Sequence, residues 1–381
     1  MANPSDVITP ATTDYYVKGA VQNSIEYSIV FKKLRESGGL KSVTGGLNYT
    51  WVVDGGLTGV TDTTDGADLS DFLSIDQVDV QGTLPWADKV GRAIMTNGMR
   101  RKNRGDPMLD EYKKKIVPKA IASVLHQGSS SVKHDLLNSD GTGTGDKYFG
   151  LPAVFKFDTG ATGKEATVTS GATYAGKSLE EDGLAGELTN PTDGKIWTPT
   201  GVNYGSTSWT SGVAGWTVAN ALEILAYAQQ QITYDPSDPD QRPDTVITDK
   251  DSYLILRSAI EQNQNIYIQT PGQPDKGAGK WALGTSPDML YYSGLDVCWD
   301  GSAPANKIRV LNFNQIALIS QDGAEDINTT GLSVMKGESM GVSMEFMTDA
   351  IFNSRSVGTL ITLPGQWQLN PRFMAEIADF S

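Results

Sequence analysis

Histidine and cysteine, on which much enzyme chemistry depends, are scarce here. The 381 residues include two histidines, His126 and His134, and a single cysteine, Cys298. One cysteine excludes an internal disulfide framework and suits a reducing cytoplasm, so the sequons at Asn48 and Asn328 read as incidental. The two histidines flank a glycine-serine stretch with no cysteine near, too few ligands for a zinc site. No serine sits in a nucleophile-elbow pattern. Long apolar runs are missing too. Leu318-Ile319 and Val297-Cys298-Trp299 fall far short of the roughly 18–20 residues a membrane helix needs. Met1–Pro4 is polar, and no basic region followed by an apolar stretch marks the chain for secretion.

Positive charge is in deficit: 31 Lys and Arg stand against 45 Asp and Glu, a formal net charge of −14. A protein whose main work is gripping nucleic acid needs a net basic face, so the balance argues against that class. The local exception is a basic concentration from Lys89 to Lys119 that includes Lys113, Lys114 and Lys115. It reads as a solvated helix face salt-bridged to neighbouring acidic subunits, with contact to packaged DNA as the competing reading.

What is present is enough chain for two or more cores. Between Thr13 and Trp51, isolated apolar anchors (Val21, Ile25, Val30, Phe31, Leu34) alternate with charge and the glycine pairs Gly38-Gly39 and Gly45-Gly46. Such a segment buries too little apolar surface by itself to offset the entropy of ordering it, so it is expected to lie on a partner, a neighbouring copy. Leu47–Val53 reads as a strand. It leads into a Gly/Asp/Thr tip and returns through Ile75–Val80 and Val90–Met95. Asp106 and Pro107 open the clearest helix, which runs to His126 with Leu109, Tyr112, Ile116, Ala120 and Val124 as its apolar stripe and a bend at Pro118.

Beyond it, Ser129–Gly215 is rich in Gly, Thr and Ser and predicts β-rich turns and loop. Thr217 is expected to cap a helix through Ile232, with Leu222, Leu225 and Ala226 on its apolar face. A buried strand at Thr245–Thr248 and a third helix capped by Asp249 follow. After the flexible-looking Thr270–Lys280, strands are predicted at Leu290–Tyr292, Leu295–Trp299, Lys307–Leu311, Ile316–Ser320, Ser339–Met347 and Val357–Leu363, then a short polar tail.

Chemistry-bearing patterns are few. Gly171-Ala-Thr-Tyr-Ala-Gly176-Lys177-Ser178 matches the phosphate-loop pattern, in which backbone N–H groups wrap phosphates ahead of a helix. Glu180, Glu181 and Asp182 would set negative charge beside the phosphates, and Gly183 would break the helix. The match therefore reads as chance. The acidic stretches Asp62–Asp71 and Asp235–Asp244 lack calcium-loop spacing and read as solvated loop. Trp197, Trp209 and Trp216 read as packing of a β-rich insertion. No cofactor is called for.

The succession carried by VQNSIEYSIVFKKLRESGG, VTGGLNYTWVV, DPMLDEYKKKIVPKAIASVL, KYFGLPAVF, VITDKDSYLILRSAI and SMEFMTDAIFNSRSVGTLITLPG resembles the major capsid protein of tailed bacteriophages, the Hong Kong 97-type fold. The resemblance covers nearly the whole chain; its motifs are specific only in their order. It implies an α+β fold with an N-terminal arm (1–45), an extended β loop (46–88), and a peripheral domain (89–215 and 322–381). That domain holds a spine helix (106–126) and a Gly/Thr-rich insertion (158–215), and an axial α/β domain spans 216–321.

It further implies a non-enzymatic subunit, assembled in the host bacterial cytoplasm as hexamers and pentamers of an icosahedral virion around double-stranded DNA that it contacts weakly. A portal, no membrane, and a cement or decoration protein belong to that picture. Val21, Ile25, Phe31, Leu34, Tyr49, Trp51, Lys113, Lys114 and Lys115 are the candidate contacts between subunits. Some relatives join a loop lysine to a neighbouring asparagine, but no lysine lies between Lys41 and Lys89, so a shell without that bond is expected. A chain starting almost directly at its arm implies a separate scaffolding protein and no large N-terminal trimming. The alternatives are an encapsulin-like nanocompartment shell, told apart by its cargo, and a nucleotide hydrolase resting on Gly171, Gly176, Lys177 and Ser178.

Overall fold

The computed structural model describes residues 28–44, 46–53, 80–95, 116–142, 147–180, 197–233, 239–263, 289–322, 330–332, 342–347 and 357–381. Val21, Ile25, the loop tip, the Asp106 cap, Lys113, Lys114, Lys115 and the Thr270–Lys280 stretch lie outside them.

The described elements begin with α1 (Ile29–Glu36), β1 (Leu40–Thr44), β2 (Asn48–Val53), β3 (Val80–Pro85) and β4 (Ala87–Met95). Next come α2 (Val117–Leu125), α3 (Val132–Asn138), the single turn α4 (Leu151–Val154), and the short strands β5 (Glu165–Ala166), β6 (Thr173–Tyr174), β7 (Lys177–Ser178) and β8 (Thr200–Asn203). Then α5 (Ala221–Ile232), β9 (Thr245–Thr248) and α6 (Lys250–Asn263) form an α/β run. The rest is strand: β10 (Met289–Tyr292), β11 (Leu295–Trp299), β12 (Ile308–Leu311), β13 (Ile316–Asp322), β14 (Thr330–Leu332), β15 (Val342–Met347), β16 (Val357–Leu369) and β17 (Met374–Ala378).

The chain divides into two compact units. The first draws on Met1–Leu47, Pro85–Pro152 and Phe313–Leu369. Its sheet runs β1-β13-β16-β15-β14, with β4 also on β16. The long β16 makes this possible: Val357–Gly365 pairs antiparallel with β4 along one edge, while β15 and then β13 share the other. Helix α2 lies against β4 where Gly91 leaves room, since a Cβ there would stand 2.4 Å from Val124 Cγ2.

Three large polar side chains in this core find partners. The Gln366 side chain, fully buried, accepts from Phe149 N at 2.6 Å and donates to Pro85 O at 3.0 Å. Tyr148 Oη donates to Leu363 O at 2.8 Å, and burial, helped by Asp88 and Asp135, pushes its pKa well above 10. Trp367 Nε1 donates to Val132 O at 3.2 Å.

One expectation changes here. The arm residues Phe31 and Leu34, read as contacts with a neighbour, are wholly buried in this chain's own unit on α1, with Phe31 6.5 Å from the Trp367 ring. Gly38-Gly39 is a helix cap. Gly38 takes φ +69°, Gly39 N donates to Leu34 O at 2.7 Å and Gly38 N to Arg35 O at 3.3 Å, which closes α1 in a Schellman turn. Pro118 is the second residue of α2 as described; the stretch before Ile116, where the rest of the expected spine falls, lies outside the described residues.

The second unit draws on Asn48–Leu84, Ala153–Asn312 and Asn370–Ser381. Its sheet runs β10-β11-β9-β12-β17-β8-β5. Strands β8, β9, β12 and β17 are buried at every position. Helices α5 and α6 pack Ile224, Leu225, Ala228, Leu256 and Ile260 into that core. Asp249 Oδ2 accepts from Asp251 N and Ser252 N, as its capping role requires. Helix α5 starts later than expected, at Ala221, because Thr217 N and Oγ1 both donate to Asn220 Oδ1 in a preceding turn. Its buried face follows Ile224, Leu225 and Ala228; Leu222 and Ala226 are half-buried.

The predicted polar tail is a central strand. Strand β17 pairs antiparallel with β12 and parallel with β8, and so joins β8 and β5 to the rest of the sheet. The boundary expected at residue 216 thus falls inside this unit, because Thr200–Asn203 reaches the sheet through a strand late in the chain. Glu376 stands opposite Arg309 in register, and both are buried. Glu376 accepts from Arg309 Nε at 3.3 Å and from Lys307 Nζ at 2.8 Å. Burial lowers the guanidinium pKa while Glu376 opposes that shift.

Candidate assembly interface

Strands β2 and β3 form a two-stranded ribbon. A ribbon of two strands is marginal in water and needs a surface to rest on. Tyr49 and Trp51 were expected to meet a neighbour, but they are the ribbon's inner face. Tyr49 is 8% exposed and stacks on Trp51 at 5.3 Å; burial raises its pKa to about 12. Trp51 packs against Tyr174 at 6.5 Å, and Tyr174 stacks on Trp197 at 6.1 Å. Beneath the indole, Gly82 has no room for a side chain, since a Cβ would lie 2.9 Å from Trp51. The outward positions are Asn48, Thr50 and Val52, the last 67% exposed. Their alternation with Tyr49 and Trp51 is visible in the sequence; which set faces out is not.

The phosphate-loop match resolves into a hairpin. Tyr174 pairs with Lys177 across a two-residue turn in which Ala175 and Gly176 both take positive φ, +54° and +78°. Lys177 and Ser178 are strand, Leu179 and Glu180 are not helical, and the Glu180 carboxylate accepts from Gly171 N. A phosphate would meet that carboxylate rather than an open ring of amides. Gly171, Gly176, Lys177 and Ser178 therefore do not form a nucleotide cradle.

Of the basic cluster, Lys89 is paired within its own unit, 2.5 Å from Asp135, whereas Lys119 is exposed. The tryptophans pack as anticipated: Trp209 Nε1 donates to Asn203 O and Trp216 Nε1 to Ser252 O, each at 3.1 Å. Lys164 lies over the Trp209 ring at 4.6 Å and 3.4 Å from Glu223, whose carboxylate also accepts from Thr210 N and Oγ1. Cys298 is buried, with Sγ 3.4 Å from Val246 O. Among the described residues no group of three or more His, Cys, Asp or Glu could hold a metal ion, and no helix is long and apolar enough to cross a membrane.

No protein-family model and no curated protein sequence matches this chain. Solved structures do. The capsid asymmetric unit of cyanophage A-1(L) is 15% identical over 91% of this chain and 92% of that chain, with a TM-score of 0.51. The capsid of a native GTA particle is 12% identical over 92% and 90%, with a TM-score of 0.49. The holo-SrpI encapsulin from Synechococcus elongatus is 11% identical over 91% and 86%, with a TM-score of 0.45. The chain has the Hong Kong 97-type capsid fold, a mixed helix and sheet architecture.

Proposed function

We propose that this chain is the major capsid protein of a tailed phage, building hexamers and pentamers of an icosahedral head around double-stranded DNA. The observation that carries the reading is fold likeness across nearly the whole of both chains to the cyanophage A-1(L) capsid. Composition supports it: a scarcity of catalytic side chains and a net charge of −14 suit a container that touches its DNA weakly.

The work of such a subunit is contact, not bond chemistry. Residues 46–88 are the extended loop, with Val52, Asn48 and Thr50 on the face offered to an adjacent copy. Residues 106–126 are the spine, and the axial domain is centred on the sheet that holds β9. Interfaces of roughly 1,200–2,000 Å² repeated around a ring stabilise one another by mass action. A separate scaffolding protein directs assembly, a portal and a cement protein complete the head, and the finished protein resides in the virion.

Expression with and without its scaffold, followed by negative-stain microscopy, tests this. Closed shells of uniform diameter are expected, and a compact monomer under every condition would defeat it. Purified particles separate phage head from nanocompartment: DNA with a portal, or a protein cargo.

A further inference from the structure

The hairpin β6–β7 has no chemistry to perform, yet it is built with care. Its turn places Ala175, a residue with a Cβ, at φ +54°, a conformation uncommon outside glycine and asparagine. Ala175 is also 5% exposed, unusual for the tip of a hairpin. Its carbonyl accepts from Thr83 N on β3 at 3.1 Å, a backbone bond from the ribbon to the turn itself. The next rung is aromatic: Tyr174 lies between Trp51 of the ribbon and Trp197 behind it. Gly82 lets the Trp51 indole lie close against β3. Ribbon and hairpin belong to the same compact unit.

We infer that the hairpin 173–178 is a seat that sets the direction of the β2–β3 ribbon, so that the face bearing Asn48, Thr50 and Val52 is held out toward a neighbouring copy of this chain. The inference rests on the capsid reading for the identity of the neighbour. The seat itself rests on the contacts. One backbone bond and a stack of rings constrain both the tilt and the roll of a ribbon that would otherwise be marginal. Tyr174 is accordingly a positioning residue.

The test uses the full chain with its scaffold. Tyr174→Leu keeps apolar volume but removes the ring; Gly82→Ala drives a methyl group into Trp51; Tyr174→Phe keeps the stack. Both Tyr174→Leu and Gly82→Ala are expected to remain folded by near-ultraviolet circular dichroism while yielding about tenfold fewer shells of wild-type diameter. Tyr174→Phe should assemble as wild type. Shells of normal yield and diameter from Tyr174→Leu overturn the seat. If the wild type forms no shells, the capsid reading fails alone, and amide exchange at Thr83 in the isolated subunit decides the seat. Exchange about tenfold faster in Tyr174→Leu supports it, and equal exchange overturns it.

Discussion

Helix Ile29–Glu36 and strand Met374–Ala378 both tie chain far from the middle of the sequence into a unit, and they are held by different physics. The helix is held by apolar side chains: Val30, Phe31 and Leu34 are buried, its end is closed by its own glycine, and its first-turn N–H groups get no side-chain cap. The strand is held by backbone pairing on both edges and by a buried charge pair. Apolar contact is graded and can be trimmed methylene by methylene, whereas a buried ion pair fails as a unit. The first should therefore degrade in proportion to volume removed, and the second should respond sharply to loss of one partner and mildly to loss of both.

The largest break is Glu376→Ala. It leaves Arg309 charged, 1% exposed and short of its carboxylate, at a cost of about 3–5 kcal/mol. Denaturant unfolding followed through the tryptophans of the second unit measures it. Arg309→Met with Glu376→Leu sharpens the comparison, because replacing both partners by apolar groups should recover most of that loss; a double variant as unstable as Glu376→Ala would show that pairing geometry, not charge, holds β17.

Phe31→Ala comes next, at about 3–4 kcal/mol, from transfer and cavity terms at a wholly buried site beside Trp367. Phe31→Leu should lose less than half of that, which is the graded response the helix predicts. Gly38→Ala is smaller, about 1 kcal/mol, for forcing a Cβ into φ +69° where the surrounding space is open. Thermal unfolding of the three variants orders them, and a Gly38→Ala effect exceeding that of Phe31→Ala would reverse the account of how α1 is anchored.

The same contrast explains what could be read before the structure. Strands Thr245–Thr248 and Leu295–Trp299 and the Asp249 cap were legible to the residue, since each is an apolar run or a capping side chain bounded by turn residues. Helix Ile29–Glu36 was not, because the partner that makes its apolar spacing meaningful, Trp367, lies hundreds of residues away. Strand β17 hid behind Glu376: a charge in the middle of a five-residue run argues against burial until Arg309 is found opposite it. In the ribbon the alternation was visible but its sense was not, and the aromatic pair was assigned to the neighbour. The phosphate-loop pattern failed for a related reason. Its glycines serve positive φ in turns, which a residue pattern alone does not tell from an anion cradle.

The smallest effect tests whether exposed charge in the second unit behaves unlike the buried pair. Burial alone would raise the Glu223 pKa, but hydrogen bonds from Thr210 and Lys164 together hold it below the usual 4.5. A carboxylate depressed in the folded state contributes stability that is fully present above pH 4.5 and is lost as the pH falls through the folded value. Because Glu223 and Lys164 are each about a third exposed, at 31% and 32%, solvent screens the pair and the contribution is small. Glu223→Gln should leave stability at neutral pH nearly unchanged and flatten its decline below pH 4.5. Raising salt should flatten the wild-type decline in the same direction, whereas the Arg309–Glu376 pair, cut off from solvent, should not respond. Equal salt dependence at the two sites would mean that burial is not what separates them.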